Sequence, residues 1–149
     1  MDRLIVATLV VAAATAVAVA VQRRRPDAPT QGGWPMPGQV DRADFASPDA
    51  PWLVAVFTSA TCDSCADVLA KAEPLRGPAV AVIDVEVGRD AELHRRYGIE
   101  AVPSLVVADA EGVVRASFVG PPAAGELWST VAELRESSAG SSGAAEGGW

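Results

Sequence analysis

The chain has 149 residues, of which 50% are hydrophobic, 5% aromatic and 21% charged, and this length favours one domain with appendages. Acidic residues outnumber basic ones by 19 to 12, and the net charge of -7 argues against a general nucleic-acid binder, which needs a basic footprint. The 2 cysteines are too few for a disulfide-dense secreted scaffold or for a zinc site with four cysteine ligands.

An uninterrupted apolar segment lies near the N-terminus. The 18 residues from Leu4 to Val21 contain no charged residue, proline or glycine. As a helix they would be about 27 Å long, close to the roughly 30 Å hydrocarbon core of a bilayer, so residues 1–21 are predicted to form a transmembrane helix. The alternative is a cleaved signal peptide that has Arg3 in its n-region and is cut after Ala20.

Basic residues beside this segment predict its orientation. Arg23, Arg24 and Arg25 follow it directly, whereas only Arg3 and the N-terminal amine precede it. Because basic flanks stay on the cytoplasmic side, the sequence predicts a single-pass protein of the cell membrane with a cytoplasmic C-terminal domain. An extracytoplasmic domain, or a protein exported after signal cleavage, is the alternative.

Two polar segments flank the central region. Residues 22–39 are rich in proline and glycine and show no regular periodicity, which predicts a semi-extended tether. Residues 137–149 are mostly Ser, Gly and Ala, and such a composition predicts a disordered tail because it buries little apolar surface. Residues 40–136 are therefore the predicted folded domain.

Strand and helix patterns alternate through residues 40–136. The uniformly apolar segment Trp52–Phe57 is typical of a strand that is buried on both faces. The elements predicted after it are a helix Cys62–Leu75, a strand Ala79–Ile83, a helix Asp90–Tyr97, two strands Ser104–Ala108 and Val113–Val119 joined by a hairpin turn, and a helix Gly125–Arg135. This order predicts an α/β fold in which helices flank a central mixed β-sheet.

Both cysteines lie in one motif, Cys62-Asp63-Ser64-Cys65, where the first predicted strand leads into the first helix. At this place Cys62 would be near the helix N-terminus, where free N–H groups and the macrodipole stabilise a thiolate. Cys65 would be one turn further on and more buried. A C-x-x-C motif beside a βαβ pattern indicates thiol–disulfide exchange.

With this motif the sequence resembles the thioredoxin family, and three further residues support the resemblance. Phe57 is the apolar residue five positions before the first cysteine, Pro103 stands where the family has its cis-proline, and Gly120 follows the fourth strand. The resemblance covers about residues 40–136. It implies a thioredoxin-like fold, although the short N-terminal part predicts that the family's first strand is missing or irregular.

The resemblance also implies roles for individual residues. Cys62 would be the nucleophile and Cys65 the resolving thiol. Val102 and Pro103 would form the platform against which a substrate peptide pairs through backbone hydrogen bonds. No cofactor is implied, and the implied partners are protein dithiol or disulfide substrates and a thiol electron donor.

The sequence departs from the family pattern at several positions. Thr61 replaces the tryptophan before the first cysteine, and Val56 replaces the buried aspartate that assists the resolving thiol. Asp63 and Asp67 place negative charge near the thiolate and oppose its formation. A less stabilised thiolate makes a weaker oxidant, so the pair is predicted to have a reducing or intermediate poise.

The cysteines and polar residues also allow other interpretations. Cys62 and Cys65 can be read as inert helix residues, or as zinc ligands that would need His94 and a further chain. His94 is predicted to lie on a solvated helix face without a role. Asp84 is predicted to be a strand-end residue rather than a proton relay.

Together these features predict a membrane-tethered thiol–disulfide oxidoreductase, a class that contributes to cell redox homeostasis. The tether would raise the effective concentration of the domain towards membrane-associated partners. The alternative is a thioredoxin-like binding, scaffold or redox-sensor module that does not turn over.

Overall fold

The computed structural model describes residues 34–143. The predicted transmembrane segment, residues 22–33 of the predicted tether and residues 144–149 of the predicted tail lie outside the described residues. Within residues 34–143, no helix is both long enough and apolar enough to span a bilayer.

Four strands form one mixed sheet in the order β2-β1-β3-β4. The strands are β1 (Trp52–Thr58), β2 (Val80–Glu86), β3 (Ser104–Ala108) and β4 (Val114–Val119). β1 pairs with β2 in parallel and with β3 antiparallel, and β4 is antiparallel to β3. The predicted mixed sheet, with a parallel pair followed by an antiparallel hairpin, is therefore confirmed.

The central strand β1 is buried along its whole length because both faces of the sheet are covered. Val54 and Val56 belong to one hydrophobic cluster, and Leu53 and Phe57 belong to the cluster on the other face. Side chains alternate between the faces of a sheet, so two covered faces require a continuous apolar segment.

In the part of the chain that the structure describes, three α-helices cover the sheet: α1 (Cys65–Ala72), α2 (Ala91–Arg96) and α3 (Ala124–Gly143). α1 and α3 pack against one face, chiefly through their buried residues Val68, Ala72, Leu127 and Val131. α2 packs against the other face through Leu93, together with the segment before β1. Helices therefore flank both faces, as the order of elements predicts.

Several element boundaries differ from the prediction. α1 begins at Cys65 instead of Cys62, because the chain first makes a turn that the Cys62 N–H closes by donating to the Ser59 carbonyl at 3.1 Å. α1 ends at Ala72, and a 3-10 turn follows over Glu73–Leu75, where Pro74 cannot continue the helix. β2 continues to Glu86, since half-buried acidic residues alternate with the buried Val85 at its end.

α3 is longer than predicted. It continues past the predicted end at Arg135 to Gly143. Once a helix is nucleated each further residue adds a backbone hydrogen bond at little cost, and Ser137 also donates its hydroxyl to the Glu133 carbonyl at 2.7 Å. The sequence therefore places the end of this helix too early.

Side chains fix the segment before β1, where the described residues contain an isolated bridge between Gln39 and Val113 but no strand. The buried Arg42 donates to the carbonyl oxygens of Asp109 at 2.7 Å and Ala50 at 2.8 Å. Burial lowers the pKa of the Arg42 guanidinium, and the charge of Asp109 opposes this shift. The prediction of a missing or irregular first strand agrees with this arrangement.

The tip of the β3–β4 hairpin contacts the segment before β1. Gly112 has φ +80°, and its carbonyl accepts a hydrogen bond from the Val40 N–H at 2.8 Å. A Cβ atom at residue 112 would lie 2.0 Å from the Val40 carbonyl oxygen. Only glycine fits both the backbone conformation and the contact at this position.

Candidate active site

The two cysteines lie in the connection between β1 and α1, at the carboxyl end of the central strand. Residues 59–62 form a turn, and Cys62 is its last residue. Cys65 is the first residue of α1 and is 3% exposed, whereas Cys62 is half-buried. A partner molecule can therefore reach the sulfur of Cys62 more readily than that of Cys65.

Cys62 and Cys65 are joined by a disulfide bond, with their Cα atoms 5.5 Å apart. This separation is within the usual range for a disulfide. The geometry therefore allows this pair to cycle between a dithiol and an intramolecular disulfide.

The surroundings of Cys62 provide few groups that stabilise a thiolate. Cys62 precedes the helix by three residues and is not at its N-terminus, so the macrodipole acts on it less than predicted. The Ser64 hydroxyl lies 3.8 Å from the Cys62 sulfur and is a weak hydrogen-bonding partner. Of the two carboxylates predicted to oppose the thiolate, Asp63 is exposed and Asp67 is paired with Lys71 at 2.7 Å.

The predicted substrate platform lies at the same end of the sheet. The peptide bond between Val102 and Pro103 is cis, as the family resemblance implies. The next residue, Ser104, pairs with Phe57 near the carboxyl end of β1, so Pro103 lies at the same edge of the sheet as the turn that carries Cys62. The Gly120 N–H donates to the Pro103 carbonyl at 2.8 Å, and Gly120 adopts φ +85°.

Val56 is fully buried, and its side chain has no polar group. In the sheet register it pairs with Asp84 of β2, so a carboxylate is present on the neighbouring strand. Asp84 accepts a hydrogen bond from the buried Thr58 hydroxyl at 2.6 Å and lies 3.6 Å from the Arg89 guanidinium. Asp84 is inside β2 and does not end it, which corrects the predicted strand boundary.

Glu86, which the sequence does not single out, contacts the cysteine-bearing connection directly. Its carboxylate accepts a hydrogen bond from the Ala60 N–H at 3.1 Å and from the Arg89 N–H at 3.0 Å. Hydrogen bonds from the backbone of Gly88, and then of Ala60 and Arg89, lower the pKa of this carboxyl although burial opposes the shift. No sequence motif marks this residue, because its partners come from two separate loops.

The prediction that His94 lies on a solvated helix face is wrong. His94 is 5% exposed, and its Nε2 lies 2.8 Å from the Val85 carbonyl oxygen. Its ring packs edge-on against the Phe57 ring, with 5.2 Å between the ring centroids. His94 lies on the face of α2 that packs towards β2, because the Val85 carbonyl oxygen is a hydrogen-bond partner for the ring there. Among residues 34–143, no group of three or more His, Cys, Asp or Glu side chains is placed to hold a metal ion.

Comparisons with known proteins identify the fold. No protein-family model matches the chain, and neither does any curated protein sequence. Solved structures do match, among them a mutant thioredoxin from Halobacterium salinarum with 26% identity and a TM-score of 0.50, which covers 62% of this chain and 83% of that one.

Two further thioredoxin structures show the same likeness. The germline-specific thioredoxin Deadhead from Drosophila melanogaster is 23% identical, with a TM-score of 0.52 over 58% of this chain and 84% of that one. Thioredoxin from Fasciola hepatica is 24% identical, with a TM-score of 0.50 over 56% and 81%. The described part of the chain is therefore a thioredoxin-like α/β domain that has a C-x-x-C cysteine pair, Cys62 and Cys65, between its first strand and first helix.

Proposed function

We propose that the chain is a membrane-tethered thiol–disulfide oxidoreductase that exchanges disulfides with protein substrates through Cys62 and Cys65. The observation that carries this proposal is the asymmetry of the bonded pair, in which Cys62 is half-buried and Cys65 is 3% exposed. Exchange needs one sulfur that a substrate can reach and one that is protected until the mixed disulfide forms.

In the reducing direction the Cys62 thiolate attacks one sulfur of a substrate disulfide. A mixed disulfide forms, and the other substrate sulfur leaves as a thiolate. The Cys65 thiolate then attacks the Cys62 sulfur, which forms the Cys62–Cys65 disulfide and releases the second substrate thiolate. Two electrons pass to the substrate, and a thiol electron donor returns the pair to its dithiol form.

The substrate chain is proposed to pair with the backbone at Val102 and Pro103. These residues immediately precede β3, which lies beside β1 and hence beside the cysteine connection. An extended peptide that adds to backbone groups at this place gains affinity with little demand on its sequence.

A reducing or intermediate poise is proposed for the pair. Strong oxidants of this kind owe their potential to a stabilised thiolate. Here Cys62 lies three residues before α1, and the exposed Asp63 is its neighbour. Equilibration with glutathione measures the potential, and a value as oxidising as that of a strong periplasmic oxidase would refute this part of the proposal.

Membrane attachment rests on the apolar segment from Leu4 to Val21 and on the tether that follows it. The basic residues Arg23, Arg24 and Arg25 support a cytoplasmic domain. A C-terminal fluorescent-protein fusion is then expected to glow, whereas an alkaline-phosphatase fusion is expected to be inactive. The reverse result would move the domain, and its substrates, to the other side of the membrane.

Insulin reduction with dithiothreitol as the electron donor tests the enzymatic proposal. The wild-type domain is expected to accelerate the reaction, and the variants Cys62→Ser and Cys65→Ser are expected to lose turnover. If the wild-type domain does not accelerate insulin reduction with any thiol donor, it functions as a binding or sensor module instead.

A further inference from the structure

We propose that Glu86 is a positioning residue for Cys62: its carboxylate fixes the turn that carries this cysteine. The inference rests on the proposed function, since it concerns how the nucleophile is held for exchange. Backbone N–H groups from two loops that are far apart in sequence donate to this carboxylate.

The parallel β1–β2 pair ends where the connection to α1 begins. Thr58 and Glu86 form the last pair of the β1–β2 ladder. The Val87 N–H then donates to the Thr58 carbonyl at 2.9 Å. The backbone of β1 leaves the sheet after this point, and the connection to α1 begins.

Residues 59–62 form the turn that carries Cys62. The Cys62 N–H donates to the Ser59 carbonyl at 3.1 Å, and the Thr61 N–H donates to the Ser59 hydroxyl at 3.3 Å. Both contacts lie within the turn and do not connect it to β2. The Ala60 N–H is different, because it donates to the Glu86 carboxylate at 3.1 Å and so connects the turn to β2.

The loop after β2 also holds the Glu86 carboxylate. Glu86 also accepts a hydrogen bond from the Arg89 N–H at 3.0 Å, so N–H groups from two loops converge on one carboxylate. A Cβ atom at residue 88 would lie 2.9 Å from the nearer Glu86 oxygen. Glycine at position 88 therefore allows the carboxylate to stay where it meets Ala60.

Three variants separate positioning from charge. Glu86→Ala removes the acceptor, Glu86→Gln keeps an acceptor oxygen without the charge, and Gly88→Ala keeps the charge but displaces the carboxylate. Gly77→Ala is the matched glycine control, since no atom lies within 4 Å of a Cβ there. Glu92→Ala is the matched charge control, because Glu92 is exposed on α2 and pairs with Arg95 of its own helix.

Two readouts are taken on each variant, at a temperature at which circular dichroism shows it folded. The first is hydrogen exchange of the Ala60 amide by NMR. The second is the rate at which the reduced domain reacts with glutathione disulfide at Cys62, followed by mass spectrometry. We expect Glu86→Ala and Gly88→Ala to speed Ala60 exchange and slow the Cys62 reaction, each by about threefold or more, because a small misplacement of a reacting group lowers its rate. Glu86→Gln is expected to retain most of both properties, and the two controls are expected to match wild type.

Three results would overturn the proposal. The first is unchanged Ala60 exchange in both Glu86→Ala and Gly88→Ala. The second is faster Ala60 exchange with an unchanged Cys62 rate, which would leave Glu86 a purely structural role. The third is a Glu86→Gln variant that behaves like Glu86→Ala while Gly88→Ala behaves like wild type, because the carboxylate would then act through its charge. If the wild-type domain reduces no protein disulfide but the expected pattern holds with glutathione disulfide, the positioning role stands and the proposed function falls.

Discussion

The hydroxyl of Tyr97 is expected to stabilise the domain by connecting α2 to the segment before β1. It donates to the Asp44 carboxylate and accepts a hydrogen bond from the Asp41 N–H at 3.0 Å. The ring also stacks on Phe45 at 5.8 Å, and this contact survives in a Tyr97→Phe variant. The substitution therefore removes two hydrogen bonds with little change in packing.

The charge of Asp44 sets the size of the stability loss expected for Tyr97→Phe. A hydrogen bond to a charged group contributes about 1.5–3 kcal/mol, and Asp44 keeps its ion pair with Arg96 at 3.0 Å after the substitution. We expect Tyr97→Phe to lower the free energy of unfolding by about 1.5–3 kcal/mol. For a domain of this size the melting temperature would fall by about 6–20 °C. Glu92→Gln on the same helix is the control, because an exposed ion pair contributes little.

The same contacts predict an alkaline titration. Burial, and then the hydrogen bond to Asp44, raise the pKa of Tyr97 from 10.0 to about 12. A raised pKa means that this contribution to stability is fully present below pH 10 and is lost as the pH rises through 12. The chain has 1 tyrosine, so absorbance near 295 nm reports Tyr97 alone. A midpoint near 10 in the folded protein, or a Tyr97→Phe variant as stable as wild type, would refute the reasoning.

Other substitutions test the close contacts of the fold. Gly112→Ala is expected to lower the free energy of unfolding in urea by about 2 kcal/mol or more, because the added Cβ would clash with the Val40 carbonyl and φ is +80°. A loss below about 0.5 kcal/mol would contradict this expectation. Gly125→Ala in α3, where a Cβ meets no atom within 4 Å, is expected to stabilise by about 0.5–1 kcal/mol. Val56→Asp is expected to destabilise by about 1–3 kcal/mol or more, since position 56 is fully buried. Burial raises the pKa of the introduced carboxyl, so Val56→Asp should lower the free energy of unfolding more at pH 8 than at pH 5. An equal loss of stability at both pH values would contradict this expectation.

Local sequence patterns predicted the parts of the fold that depend on neighbouring residues. The continuous apolar segment at Trp52–Phe57 indicated the doubly covered strand, and the spacing of the cysteines after it indicated the redox pair. The family resemblance added the cis bond before Pro103. Each of these features is encoded within a short stretch of chain.

Features that depend on distant residues were not predictable in the same way. The sequence pattern predicts a solvated face for His94, but the Val85 carbonyl and the Phe57 ring contact it in the folded chain. The contact between Glu86 and Ala60 joins two loops whose proximity depends on the β1–β2 register. The start of α1 also depends on a turn that is closed by Ser59, which the helical pattern does not reveal.

The central claim is that Cys62 attacks and Cys65 resolves. Its most direct measurement is trapping of a mixed disulfide with an oxidised protein substrate, read by non-reducing electrophoresis and by mass spectrometry of the linked peptides. We expect Cys65→Ser to accumulate a mixed disulfide through Cys62, and Cys62→Ser to accumulate none. Equal trapping by the two variants, or trapping through Cys65 alone, would contradict the assignment of the two roles.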